Sequence, residues 1–125
     1  MKRNMDTVRA ILLAVEASPA MDISERALKL PEVPGKDLLY HVALLKDAEL
    51  IDGIIDKDSN KMPWRFLTIR LTWQGHEWID VMRDDNMWNK VKEKFIKPGA
   101  SWTVSLLLEY AKSELRTRLG LPPAP

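Results

Sequence analysis

Eight prolines cut this 125-residue chain into short pieces, because a proline inside a helix removes one hydrogen bond and its ring clashes with the preceding turn. Ser18-Pro19 closes whatever precedes it. Pro31 and Pro34-Gly35 forbid a long helix between Met21 and Gly35, Met62-Pro63 interrupts the middle, Lys97-Pro98-Gly99 breaks the chain again, and Pro122-Pro123 follows Gly120 near the end. The elements must fit between these breaks.

Between them the spacing of apolar residues predicts the elements. Met5, Val8, Ile11, Leu12 and Val15 recur at three and four residues, which gives a helix from about Met5 to Ala17. Ala27 to Leu30 reads as a short strand. A second helix is expected from about Lys36 to Glu49, with Leu38, Val42, Leu45 and Ala48 on one stripe. Ile51 to Asp56 and Trp64 to Leu71 are rich in β-branched and aromatic residues, and Leu67, Ile69 and Leu71 alternate onto one face. With the polar run Lys57 to Pro63 between them they predict a hairpin. Thr72 suits the cap of a third helix through Val81, and Asp84-Asp85 suit a new start that carries Trp88, Val91 and Phe95 inward. Ser101 is the expected cap of a last helix, Trp102 to Leu119, closed by Gly120.

Composition narrows the class. The length suffices for one hydrophobic core and is short for two. With no cysteine, disulfide frameworks, thiolate metal sites and cysteine nucleophiles are excluded, and a cytoplasmic location is expected. The longest unbroken apolar run, Ala10 to Val15, is far short of a membrane span, so a soluble, unprocessed protein without membrane partners is expected.

The order helix, short strand, helix, hairpin, helix is the winged-helix plan, in which the second helix enters a DNA groove and the hairpin is the wing. The run Leu38 to Ile51, with Tyr40-His41-Val42 and Leu44-Leu45, resembles the recognition helix and first wing strand of winged-helix repressors that sense metals or drugs. Leu71-Thr72-Trp73-Gln74-Gly75 resembles their join between wing and next helix. Over almost its whole length the chain also resembles a family of small uncharacterised winged-helix proteins found in phages, prophages and bacterial genomes. Met1 to Asp6, Tyr40-His41-Val42, Leu44-Leu45, Leu71 to Glu77, and Arg83-Asp84-Asp85 with Trp88 carry that resemblance. It implies an α+β, mainly α, fold: a winged helix over residues 1–84 and a helical extension over 85–120, packed on it or forming a dimer interface, before a frayed tail at 121–125. It implies no established activity.

The expected role is a DNA-associated transcriptional regulator or phage accessory factor acting as a dimer, with Lys36, Tyr40, Lys57, Lys61, Arg65 and Arg3 on double-stranded DNA. Two features resist it. The positions matching Leu39, Tyr40 and Ala43 usually carry serine, arginine and lysine in the repressors, and here these outward positions are apolar or aromatic. From Lys36 to Lys61, four lysines (36, 46, 57 and 61) stand against six carboxylates (Asp37, Asp47, Glu49, Asp52, Asp56 and Asp58), a net of −2, whereas DNA binding requires several phosphates to be neutralised. Glu49 also replaces the usual glycine at the helix end, which predicts a looser turn. The alternative is a protein-interaction adaptor that uses Leu39 and Ala43 with the last helix, where Val104, Leu108, Ala111 and Leu115 step by four, three and four as a dimer seam.

An enzyme is not expected. His41 and His76 have no second histidine at metal-ligand spacing, and no nucleotide-binding glycine loop or nucleophile elbow is present, so no metal or cofactor is called for. His41 sits where related winged helices keep a partly buried histidine, and that resemblance implies a satisfied structural role. Of the five tryptophans, Trp78 and Trp88 fall on core stripes and Trp64 is the one expected at the surface.

Overall fold

Asn4 opens the first helix by accepting the backbone N–H groups of Asp6 (2.9 Å) and Thr7 (3.3 Å), two of the donors that a helix start leaves over. The computed structural model describes residues 1–56 and 65–122. Helix α1, Met5–Ala17, buries the predicted face of Met5, Val8, Ile11, Leu12 and Val15. The expected hairpin tip Lys57 to Pro63, with Trp64, lies outside the described residues, as do residues 123–125 of the expected tail.

The first strand, β1, is Ile23–Ser24 rather than Ala27 to Leu30. The amides of Ala27 and Leu28 both bond back to the Ser24 carbonyl (3.0 and 3.1 Å), and the Ser24 hydroxyl accepts from Ala27 at 3.3 Å. A serine that satisfies a local turn competes with strand pairing, and here the turn wins. Leu28 still anchors the segment in the core. Helix α2 comes next, over Gly35–Asp47, burying His41, Val42, Ala43 and Leu45. Ala48, expected on its core stripe, is the exposed capping residue instead.

Strands β2, Ile51–Asp56, and β3, Arg65–Leu71, form the antiparallel hairpin, and β1 adds to the far side of β3 to give the order β1-β3-β2. The register breaks between Gly53, opposite Ile69, and Ile55, opposite Phe66, so Ile54 faces two residues, Leu67 and Thr68. This bulge reverses the alternation along β3. Phe66, Ile69 and Leu71 are buried, whereas Leu67 is 61% exposed on the opposite face from its expected partners Ile69 and Leu71. Helix α3, Trp73–Met82, buries Trp78, Ile79 and Met82.

The chain gathers into two compact units, residues 1–79 and 80–125. In the second, Asp84 caps α4, Asp85–Val91, by accepting from Asn86 (2.8 Å) and Met87 (3.3 Å). A π-helical turn over Lys92–Ile96 widens the coil, with Lys97 donating five residues back to Lys92 at 2.8 Å. Extra residues per turn rotate the side chains of the widened coil away from the α-helical stripe, so Phe95 is half-buried, edge-on to Tyr110 at 5.2 Å, while Trp88 and Val91 are buried as expected. Helix α5 is Val104–Arg118 and is capped by Thr103, whose hydroxyl accepts from Leu106 at 3.0 Å, instead of by Ser101. Gly120 ends it at φ 70°, the left-handed turn predicted from its place. The buried stripe of α5 is Leu107 and Ala111, while Val104 and Leu108 are half-buried and Leu115 is exposed. The expected seam is therefore divided between core and surface.

The observed architecture is α+β and mainly helical, with one small antiparallel sheet. Among the described residues, no helix is long and apolar enough to cross a membrane.

Candidate functional site

His41 is buried in the middle of α2, and both ring nitrogens are used. Nδ1 lies 2.7 Å from the carbonyl oxygen of Asp37, and Nε2 accepts the backbone N–H of Asn4 at 2.8 Å. A nitrogen facing a carbonyl must donate and one facing an amide must accept, so the ring is the neutral tautomer with its proton on Nδ1. This is the structural role expected of His41. It also ties Asn4, just ahead of α1, to the middle of α2. The Tyr40 ring stands edge-on to His41 at 5.5 Å. The amino end of α2 is open, because Pro34 supplies no side-chain cap.

The other end of α2 is clamped to the sheet. Glu49 lies at φ 60°, with its amide on Lys46 and that of Leu50 on Leu45, both at 3.0 Å, the paired bonds of a tight left-handed helix end. The looser turn expected from the missing glycine is therefore corrected: glutamate takes glycine's conformation, at a steric cost. Thr72 holds the turn, since its hydroxyl donates to the Glu49 carbonyl at 2.6 Å and accepts the Gly75 amide at 3.0 Å, and its own amide donates to Leu50 at 3.1 Å. A Cβ on Gly75 would lie 2.0 Å from the Leu50 carbonyl oxygen, so only glycine lets α3 approach this closely. These contacts explain why threonine and glycine stand three residues apart in the join between β3 and α3.

The hairpin's arginines face carboxylates. Arg70 pairs with Asp52 across the strands at 3.6 Å, and Arg65, opposite Asp56 in the register, pairs with Glu25 at 3.5 Å. Lys46 reaches from α2 to the Gly53 carbonyl at 2.6 Å. Lys46, Glu49, Asp52, Arg70 and Trp73 border an open cleft of about 600 Å³. Trp73 is 81% exposed, and its indole N–H donates to Glu77 at 2.7 Å. Among the described residues no three His, Asp or Glu side chains are grouped to hold a metal ion.

The family profile described as "Hypothetical protein (DUF2513)" matches residues 2–101. The chain belongs to the DUF2513 family. An uncharacterized protein of Haemophilus influenzae is 38% identical over 124 residues, covering 96% of this chain and all of the relative. No solved structure matches the chain.

In this DUF2513 chain the predicted DNA-contacting residues fall into three groups. Arg3 and Lys36 are exposed and Tyr40 is half-buried; Lys36 lies in the first turn of α2, Tyr40 stands beside His41, and Arg3 adjoins Asn4. Arg65 is exposed over 74% of its side chain but held by Glu25. Lys57 and Lys61 lie outside the described residues. Of the predicted protein-docking positions on α2, Leu39 is half-buried and Ala43, only 6% exposed, is not an outward position at all. A methyl group cannot project past the longer side chains one turn away on the same face, Leu39, Tyr40, Lys46 and Asp47. Trp73 is the surface aromatic that spacing did not identify, because its place in the first turn of a helix resembles that of a packing residue. The i,i+4 relation of Trp73 to Glu77 was the available signal.

Proposed function

We propose that this DUF2513 protein is a non-enzymatic winged-helix protein that associates with double-stranded DNA, as a regulator or accessory factor. The observation that carries this reading is the His41 bridge, which holds Asn4, the neighbour of Arg3, against α2, the helix that carries Tyr40 and, at its open amino end, Lys36. In helix-turn-helix proteins that end of the recognition helix meets base edges and phosphates. The sheet order β1-β3-β2 agrees, since β1, between the two helices, joins the hairpin that serves as the wing. Fold likeness alone assigns no activity, so the weight rests on the cations.

The chemistry favours phosphate contact over base reading. Arg3 and Lys36 neutralise phosphates, and the Tyr40 hydroxyl can donate to one. Leu39 and Ala43 supply no bidentate base contact. With Arg65 and Arg70 held by Glu25 and Asp52, the described strands of the wing add little positive charge. Binding is therefore weak, indifferent to sequence and strongly salt-dependent. Titration of the full chain against random duplex DNA at about 50 mM salt, where counterion release is most favourable, tests it. Salt-sensitive binding is expected, and no binding at any protein concentration overturns it.

A second reading, a protein-interaction adaptor, is favoured by the replacement of polar base readers with Leu39 and Tyr40. It predicts that Leu39→Lys leaves DNA binding intact or improves it while abolishing capture of the protein partner.

A further inference from the structure

The outer face of the β2–β3 ribbon carries a pattern that neither the fold nor DNA binding requires. β2 presents Asp52, Ile54 and Asp56 on this face, and β3 presents Arg70, Leu67 and Arg65. The register sets Asp52 opposite Arg70 and Asp56 opposite Arg65, with Ile54 and Leu67, 60% and 61% exposed, between these two charged rungs. One strand is thus acidic, its neighbour basic, and the centre apolar and open to water. Trp73 borders the same cleft as Asp52 and Arg70 and extends the apolar surface.

We propose that this face pairs with the same face of a second copy of the chain, about a two-fold axis parallel to the strands. Such a rotation lays β2 of each copy over β3 of the other. Asp52 and Asp56 then meet the second copy's Arg70 and Arg65, and Ile54 meets its Leu67. Charge complementarity selects this arrangement, because a two-fold axis perpendicular to the strands lays β2 on β2 and brings Asp52 over Asp56. Growth through the open edge of β2 is disfavoured by like charges and by a guard at Gly53. There the amide is taken by the Asp52 side chain at 2.9 Å and the carbonyl by Lys46 at 2.6 Å.

The ribbon face measures roughly 20 Å by 10 Å from strand rise and spacing, well under the ~800 Å² per partner of a stable interface. The pairing is accordingly weak and salt-sensitive. It involves no DNA and stands or falls separately from the DNA reading.

Sedimentation velocity of the full chain without DNA, from about 5 to about 500 µM at low and high salt, tests it. A monomer–dimer equilibrium weakened by salt is expected. Ile54→Lys with Leu67→Lys weakens it at least tenfold with the melting temperature unchanged, because both side chains are exposed. Asp52→Arg also weakens it, and adding Arg70→Asp restores it by re-forming the pairs both within and between copies. If the double-lysine chain does not fold, the charge swap alone decides. A chain that stays monomeric at every concentration overturns the proposal, as does a dimer indifferent to both sets of changes.

Discussion

The hydroxyl of Thr72 donates to the carbonyl of Glu49 at 2.6 Å, 23 residues away in sequence, and this bond holds a glutamate in a backbone conformation that favours glycine. The turn between α2 and β2 is therefore a place where the chain sacrifices stability. Glu49→Gly relieves the clash at φ 60° and is expected to stabilise the protein by about 1 kcal/mol, the usual left-handed penalty less glycine's entropic cost. Thermal unfolding followed by circular dichroism measures it, and an unchanged or lower melting temperature contradicts a strained turn.

Gly75→Ala has the opposite sign. Its Cβ would lie 2.0 Å from the Leu50 carbonyl oxygen, a backbone atom that cannot move aside as a flexible side chain does. A loss of about 3 kcal/mol or more is expected, at the upper end of overpacking changes. Urea denaturation reads it directly.

These two residues mark the boundary of what the sequence disclosed. The glycine three residues beyond Thr72 was visible as a motif, and its reason is the approach to Leu50. The left-handed turn was hidden, because the residue that usually signals it is absent. Helix α1 was legible from end to end, since its apolar spacing and the break at Ser18-Pro19 agree. The β3 bulge was not: strict alternation placed Leu67 with Ile69 and Leu71, and only the pairing with Ile54 shows where alternation fails. At the candidate site, the buried, doubly bonded His41 has the structural role expected of it. The engagement of Arg65 and Arg70 could not be foreseen, because ion pairs across strands depend on register.

The His41 bridge predicts a paired effect on stability and binding. His41→Phe removes the hydrogen bonds to the Asn4 amide and the Asp37 carbonyl, which is expected to cost about 1 kcal/mol, the usual net worth of a hydrogen bond. It also releases Asn4, the neighbour of Arg3, from α2, so DNA affinity is expected to fall even at temperatures where the chain is fully folded. Folded protein that binds as tightly as the wild type contradicts the bridge's role in the site.

The ion pairs on the hairpin predict a gain. Asp52→Asn and Glu25→Gln each remove a negative charge, beside Arg70 and beside Arg65, without altering shape, and each is expected to strengthen binding to random duplex DNA and to steepen its salt dependence by up to about one phosphate. Fluorescence anisotropy at several salt concentrations measures both quantities.

Acid unfolding has a specific contributor in Asp84. The amides of Met87 and Asn86 donate to its carboxylate, and with lesser help from Arg118 they hold its pKa below the ordinary 3.8. A carboxylate with a lowered folded-state pKa adds stability that is fully present above the ordinary value and is lost as pH falls through the folded one. Melting temperature recorded from pH 7 to pH 2 should therefore fall less steeply at its acid end in Asp84→Asn, which keeps the cap but does not titrate. Identical acid limbs contradict the assignment.

The central claim is that Lys36, at the open end of α2, and Arg3, next to the Asn4–His41 contact, hold phosphates. The most direct test is the slope of log affinity against log salt for random duplex DNA, compared between the wild type and the Arg3→Ala, Lys36→Ala double variant. Each lost contact should reduce the slope by about 0.9, so the variant is expected to be shallower by roughly 2. An equal slope in the two proteins, or no salt-sensitive binding by the wild type, contradicts the claim.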